Sequence, residues 1–336
     1  MKTRKNKETA EQPAQHNTII DPSVALTAPA TDVLAQVITP QFALYHGDSC
    51  EVLSKLPQHS VHYSIFSPPF ASLYTYSNSP RDLGNVRNDE EFFAHFDHVI
   101  DGLKRVMMPG RLVSMHCMTM PTSKERDGYI GLRDFRGDLI RAFQRHGFVY
   151  HSEVCIWKDP VTAMQRTKAL GLLYKTVREN ASMTRQGLPD YLVTMRAPGE
   201  CPREERVKHD EGEYPCSLWQ RIASPVWDDI NPSDTLQRES AREEDDERHI
   251  CPLQLEVIRR GVDHWTNPGD IVLSPFAGIG SEGHIAVGGA TTQGVRLSKP
   301  RRFVGIELKD SYYAQAVKNL KAASTVRQLS LMDRME

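Results

Sequence analysis

Residues 270–283 read Asp-Ile-Val-Leu-Ser-Pro-Phe-Ala-Gly-Ile-Gly-Ser-Glu-Gly. The apolar run from Ile271 to Leu273 predicts a short buried strand. Gly278 and Gly280 follow, and glycine lets the chain turn tightly and a ligand approach the backbone. Ser281 is a good N-cap residue, so a helix is predicted to start there. A strand, a glycine turn and a helix N-terminus together cradle nucleotides. Residues 302–307, Arg-Phe-Val-Gly-Ile-Glu, predict the next strand, with Glu307 at its C-terminal end. An acid at this distance beyond a glycine loop can accept hydrogen bonds from ribose hydroxyls. Gly283 completes Gly-x-Gly-x-x-Gly, so an NAD(P)-dependent Rossmann oxidoreductase is a rival reading. That rival needs βαβαβ halves after the loop, and only roughly 50 residues remain there.

The second informative stretch is residues 61–70, Val-His-Tyr-Ser-Ile-Phe-Ser-Pro-Pro-Phe. Pro68 and Pro69 fix φ and remove two N–H donors, so a strand over Val61 to Phe66 cannot continue through them. The carbonyls of Ser67 and the prolines are left as acceptors, and the ring of Phe70 can stack on something flat. Such a row suits a planar group bearing an NH₂, such as a nucleobase amine. The plainer alternative is a proline-terminated strand with a buried Phe.

Outward from these two stretches, strand and helix alternate. Strands are predicted at 42–46, 61–66, 111–115, 149–157 and 191–196. Helices are predicted at 89–107, with Pro109-Gly110 ending it, and at 133–146, 255–264 and 312–321. The pattern argues for an α/β sheet covered by helices on both faces. Residues 1–38 are polar and aperiodic and read as a tail, with a short helix near Ala30–Val37. Residues 71–86, rich in Tyr, Ser, Asn and Gly, read as a loop over the site. Residues 158–190 and 199–248 break the alternation and read as inserts.

Ser-Pro-Pro-Phe paired with Phe-x-Gly-x-Gly resembles the signature of AdoMet-dependent DNA amino-methyltransferases, which modify N6 of adenine or N4 of cytosine. The catalytic motif precedes the cofactor loop, as in the circularly permuted β group, and the likeness to solitary and prophage-type enzymes spans roughly residues 40–325. The resemblance implies an α/β, Rossmann-like AdoMet-dependent methyltransferase fold with a mostly parallel central sheet, permuted motif order and a target-recognition insert. It divides the chain into a tail (1–38), a catalytic half (39–198, insert 158–190), a target-recognition region (199–248), an AdoMet-binding half (249–325) and a C-terminal tail (326–336). It implies catalytic roles for Ser67, Pro68, Pro69 and Phe70. It implies cofactor binding by Asp48, Phe276, Ala277, Gly278, Gly280, Ser281 and Glu307. Residues 249–254, His-Ile-Cys-Pro-Leu-Gln, are similar to the family's His-Pro-x-Gln-Lys-Pro segment and add Pro252, although the lysine is absent. Candidate DNA contacts are Tyr74, Arg81, Arg166, Lys168 and Arg185. Double-stranded DNA reached by base flipping is the implied partner, and a homodimer is expected. Adenine is put narrowly ahead of cytosine. The remaining rivals are a catalytically silent DNA-binding relative, and methylation of RNA or of protein glutamine.

Bulk properties agree. A chain of 336 residues with 39% hydrophobic and 25% charged residues can build a large core. No apolar stretch approaches the roughly 20 residues that span a bilayer. Six cysteines without a Cys-x-x-Cys pair predict a reduced, cytoplasmic protein with no metal site. Net charge is −2, but acids concentrate in 239–247 while 158–185 is basic. Local field outweighs total charge for phosphate contact.

Overall fold

The apolar runs become strands of one nine-stranded sheet in a computed structural model that describes residues 33–69, 89–122, 124–167, 170–236 and 253–332. In chain order these strands are β1 (Ala35–Ile38), β2 (Phe42–His46), β3 (Val61–Phe66) and β4 (Met107–Met118). A separate two-stranded pair, β5 (Met120–Pro121) and β6 (Leu132–Arg133), comes next. The large sheet continues with β7 (Val149–Ile156), β8 (Asp190–Arg196), β9 (Val226–Trp227), β10 (Ile271–Ser274) and β11 (Arg302–Glu307). Their spatial order is β1-β2-β11-β10-β3-β4-β8-β7-β9. The five strands from β2 to β4 run parallel, β8 runs antiparallel to both its neighbours, and β1 closes the other edge antiparallel to β2.

Ten α-helices lie among the described residues. They are α1 (Ser49–Lys55), α2 (Asp89–Val106), α3 (Lys124–Asp127), α4 (Phe135–Arg145), α5 (Pro160–Thr167), α6 (Tyr174–Glu179), α7 (Cys216–Ile222), α8 (Leu255–Trp265), α9 (Ser281–Ala286) and α10 (Asp310–Met332). Side-chain alternation sorts the sheet into two cores. Ala43, Tyr45, Phe66 and Met115 face α1, α2 and α4, where Leu53, Phe92, Phe96 and Leu139 meet them. Phe42, Leu44, Tyr63, Ile65 and Phe303 face α8, α9 and α10, where Ile258, Ile285, Ala316 and Leu320 meet them. The parallel strands read as continuous apolar runs because both faces are covered.

The structure departs from the sequence expectations in three places. Residues 35–38, expected within a short helix, form an edge strand, because β2 is fully buried and offers an unpaired backbone edge. Pro109-Gly110 lies inside β4 instead of between helix and strand. The register against β3 shifts between Val61 and Tyr63, and such a bulge tolerates both the proline and the positive φ of Gly110. Finally, Gly280 occupies the N-cap of α9 at φ 85°, and Ser281 is already helical.

Chain order sets the crevice. From β10 the chain passes through α9 to β11 on one side. From β3 it passes through α2 to β4 on the other. Ligands in doubly wound sheets bind at such a reversal, outside the carboxyl ends of the strands.

Candidate active site

The two sequence motifs emerge side by side from that reversal. β3 and β10 pair in parallel, with Val272 opposite Tyr63 and Leu273 opposite Ser64. Ser64 Oγ donates to the Leu273 carbonyl at 3.0 Å. The rings of Phe66 and Phe276 sit 5.7 Å apart just past the strand ends. Ser67 is half-buried, Pro68 buried and Pro69 half-buried, and all three leave the sheet at the same edge as the glycine bend.

The bend is held from several directions. Gly278 N–H donates to Glu307 Oε2 at 2.7 Å, and Lys309 N–H donates to Oε1 at 2.8 Å. Ala277 N–H bonds the Ile306 carbonyl at 2.8 Å, and Asn319 Nδ2 donates to the Ile279 carbonyl at 2.8 Å. The three glycines do different things. A Cβ on Gly278, at φ 53°, would meet nothing within 4 Å among the described residues, which leaves that face open to a ligand. A Cβ on Gly280 would lie 3.2 Å from Ala316 Cβ, and one on Gly283 would lie 2.5 Å from both Leu320 and Phe303 side chains. Gly283 therefore lets α9 pack on β11 and α10.

The segment after β2 joins the same cluster. Asp48 caps α1, its Oδ1 accepting from Cys50 and Glu51 N–H at 2.9 and 3.2 Å. Ser49 Oγ donates to the Pro275 carbonyl at 2.5 Å, and Gly47 N–H donates to the Glu307 carbonyl at 3.0 Å. Asp48, Phe276, Ala277, Gly278, Gly280, Ser281 and Glu307 thus gather around one bend. An open glycine face, a carboxylate at the end of the adjoining strand and buried apolar neighbours suit a nucleoside-bearing cofactor. Behind the bend, burial pushes the Glu282 carboxyl up to about 8, with the Glu307 charge adding to it.

His116, Asp190 and Lys158 belong to no sequence motif and are not among the candidate residues named above. Yet Ser67 Oγ lies 3.1 Å from His116 Nδ1, His116 Nε2 lies 3.1 Å from Asp190 Oδ2, and Lys158 Nζ lies 2.5 Å from the same oxygen. These residues come from β3, β4, β8 and the end of β7, so no local motif could announce them. Burial works to raise the Asp190 carboxyl, but His116 and Lys158 outweigh it and hold it below the usual carboxylate range.

The remaining candidates divide by position. Phe70, Tyr74, Arg81, Lys168 and Pro252 lie outside the described residues, and Arg166 is described only by its backbone in α5. Arg185 is half-buried and donates to the Gln186 carbonyl at 3.0 Å. It lines an open groove of about 440 Å³ with Pro160, Leu172 and Tyr174. Residues 205–209, in the segment expected to recognise the target, pack at the opposite end of the sheet. Arg111 bonds the Glu205 carbonyl, and His209 Nε2 lies 2.9 Å from the His264 carbonyl.

Known proteins share this fold. The chain is 25% identical over 287 residues to the DNA adenine methyltransferase YhdJ of Escherichia coli K12, covering 84% of this chain and 83% of that protein. Its fold is similar to that of TTHA0409 from Thermus thermophilus, solved in complex with S-adenosyl-L-methionine. The TM-score is 0.59 at 22% identity, covering 84% of this chain and 93% of that one. It is also similar to the PvuII DNA methyltransferase, described as cytosine-N4-specific, with a TM-score of 0.58 at 18% identity, covering 84% and 86%. The profile of the DNA methylase family of N6 and N4 enzymes matches residues 61–318. With that match over most of its length, the chain belongs to the AdoMet-dependent DNA methylases that modify exocyclic base amines.

Proposed function

We propose that this chain transfers a methyl group from AdoMet to the exocyclic amine of a base in double-stranded DNA, with N6 of adenine narrowly ahead of N4 of cytosine. The observation that carries the reading is the shared crevice of Ser67-Pro68-Pro69 and the glycine bend at the ends of paired strands. The 25% identity to an adenine methyltransferase favours adenine. In the family this chain resembles, serine at the first motif position is commonly associated with N4 of cytosine, and that favours cytosine.

An exocyclic amine is a poor nucleophile, because its lone pair is delocalised into the ring. The Ser67 hydroxyl and the Pro68 carbonyl accept hydrogen bonds from the NH₂ and pull the nitrogen toward sp³ geometry. The same acceptors stabilise positive charge as it develops there, and alignment of the nitrogen contributes further rate. When bound, AdoMet supplies the electrophilic methyl group. Glu307 would hold the ribose hydroxyls and, as the resemblance implies, Asp48 the adenine end, with Gly278 leaving room beside the bend. Phe70 stacks on the extruded base, a contact contributing roughly 1–3 kcal/mol, and residues 158–190 meet the DNA around it.

The test is incubation of purified protein with plasmid DNA and methyl-labelled AdoMet, followed by nucleoside mass spectrometry. Labelled N6-methyladenine is expected. Labelled N4-methylcytosine would move the assignment to the runner-up, and DNA without label would overturn the reading.

A further inference from the structure

We propose that His116 is the proton acceptor behind Ser67, and that Asp190 and Lys158 set how readily it takes the proton. The inference rests on the reading of the site as an amino-methyltransferase and adds where the proton goes. The geometry is a continuous chain: Ser67 Oγ to His116 Nδ1 at 3.1 Å, His116 Nε2 to Asp190 Oδ2 at 3.1 Å, and Asp190 Oδ2 to Lys158 Nζ at 2.5 Å. His116 is 7% exposed and Asp190 is 2% exposed, so water competes little for these bonds.

The tautomer follows from chemistry. An ionised carboxylate only accepts hydrogen bonds, so His116 Nε2 carries the hydrogen that faces Asp190. Nδ1 is then the acceptor, and the Ser67 hydroxyl donates to it. That leaves the lone pairs of Ser67 Oγ facing the crevice, where they can accept from a substrate NH₂.

The proton balance closes along this route. The amine nitrogen that gains a methyl becomes positively charged and must shed one N–H proton. The electron pair of the broken carbon–sulfur bond stays with sulfur, leaving a neutral thioether. The amine proton passes to Ser67 Oγ as the serine's own proton passes to His116 Nδ1. His116 becomes an imidazolium paired with Asp190, and loses its proton to solvent before the next turnover. Ser67 is regenerated neutral, so it never needs to be a strong base.

The titratable neighbours are consistent with that role. Asp190 reaches His116 from β8, and Lys158 reaches Asp190 from the end of β7. Cys117 on β4 and Cys155 on β7 also feel Asp190, but burial first, and nearby carboxylates next, push both thiols up and keep them neutral. Lys158 is the first residue of the 158–190 insert and is 30% exposed at its side chain. The base of the expected DNA-contacting insert is therefore tied to the relay.

Two measurements test this. Imidazole ¹⁵N chemical shifts of the free protein report the tautomer without cofactor or DNA, and Nε2–H is expected for His116. Single-turnover methyl transfer against pH, with DNA and AdoMet saturating, should rise as His116 loses its proton and then level off. His116→Gln keeps a bond to Ser67 but cannot take a proton. It should lower that rate by about 10²-fold, abolish the pH limb and leave AdoMet affinity unchanged. Asp190→Asn removes an anion and should move the limb to lower pH. Lys158→Met removes a cation and should move it to higher pH. An Nδ1–H tautomer, or a His116→Gln protein with wild-type rate and pH limb, would overturn the relay while leaving the function intact. A wild-type protein that methylates nothing would overturn the functional reading instead.

Discussion

At the scale of single residues, Ser67 and Glu307 occupy the two sides of the crevice and divide rate from affinity. Ser67→Ala removes an acceptor that matters mainly as charge develops on the amine. The methyl-transfer rate should fall by about 10²-fold, the order found when one stabilising group is lost, with AdoMet affinity by calorimetry unchanged. Glu307→Ala should do the reverse. Hydrogen bonds to a charged group contribute about 1.5–3 kcal/mol each, so AdoMet affinity should drop by at least about tenfold. The loss includes a looser bend, because Glu307 also holds the N–H groups of Gly278 and Lys309. Glu282 answers to pH. Burial raises its carboxyl from the ordinary 4.5 to about 8, so it stays protonated in the fold at neutral pH while the unfolded chain ionises it. Stability from this group is undiminished below about 4.5 and is lost as pH rises toward 8. Glu282→Gln should therefore be neutral in acid, and more stable than wild type by a few kcal/mol at pH 8, read from denaturant melts at both pH values.

At the scale of elements, the glycine bend makes a sharper prediction. Gly283→Ala drives a methyl into Leu320 and Phe303 at 2.5 Å where α9 meets α10 and β11, and should cost about 1–3 kcal/mol in stability. Gly278→Ala meets none of the described residues within 4 Å. It should cost only about 1–2 kcal/mol of left-handed backbone strain, yet abolish AdoMet binding by filling the cofactor's space. Melting curves and calorimetry on the two variants separate packing from binding. The elements themselves were legible because their signals are local. Ile271 to Leu273, Val61 to Phe66 and the amphipathic Phe92, Phe96 and Leu103 carry their periodicity in consecutive residues. β1 was missed because its residues are mostly exposed and its only reason to be extended is the free edge of β2. The relay was missed for a related reason. Ser67, His116 and Asp190 are distant in sequence, and only the β3-β4-β8 ladder aligns them. Adjacency of the two motifs was legible through the resemblance to a known signature, since the long stretch between Phe70 and Asp270 carries no local sign of it.

At the scale of the molecule, the sheet separates chemistry at one end from anchoring at the other. Ser67, the glycine bend and Glu307 lie at the carboxyl ends of the parallel strands. At the opposite end Arg111 is 4% exposed, donates from Nε to the His62 carbonyl at 3.0 Å and pairs through Nη2 with Asp270 at 2.5 Å. Asp270 also accepts from Asn267 N–H at 2.8 Å, and His62 Nδ1 accepts from Ile271 N–H at 3.1 Å. This network ties the starts of β3 and β10 to β4, so it fixes where those strands end as well. Removing the anion leaves a buried guanidinium without its carboxylate partner, and breaking a buried pair in this way costs about 3–5 kcal/mol. Asp270→Ala should therefore lower the melting temperature markedly. Five residues along β3, about 16 Å at ~3.3 Å per residue, separate His62 of the network from Ser67. Well below the new melting temperature, the strands remain paired by their own ladders. The single-turnover rate and AdoMet affinity there should match wild type, and a variant equally stable but slower would mean that strand placement at one end governs geometry at the other.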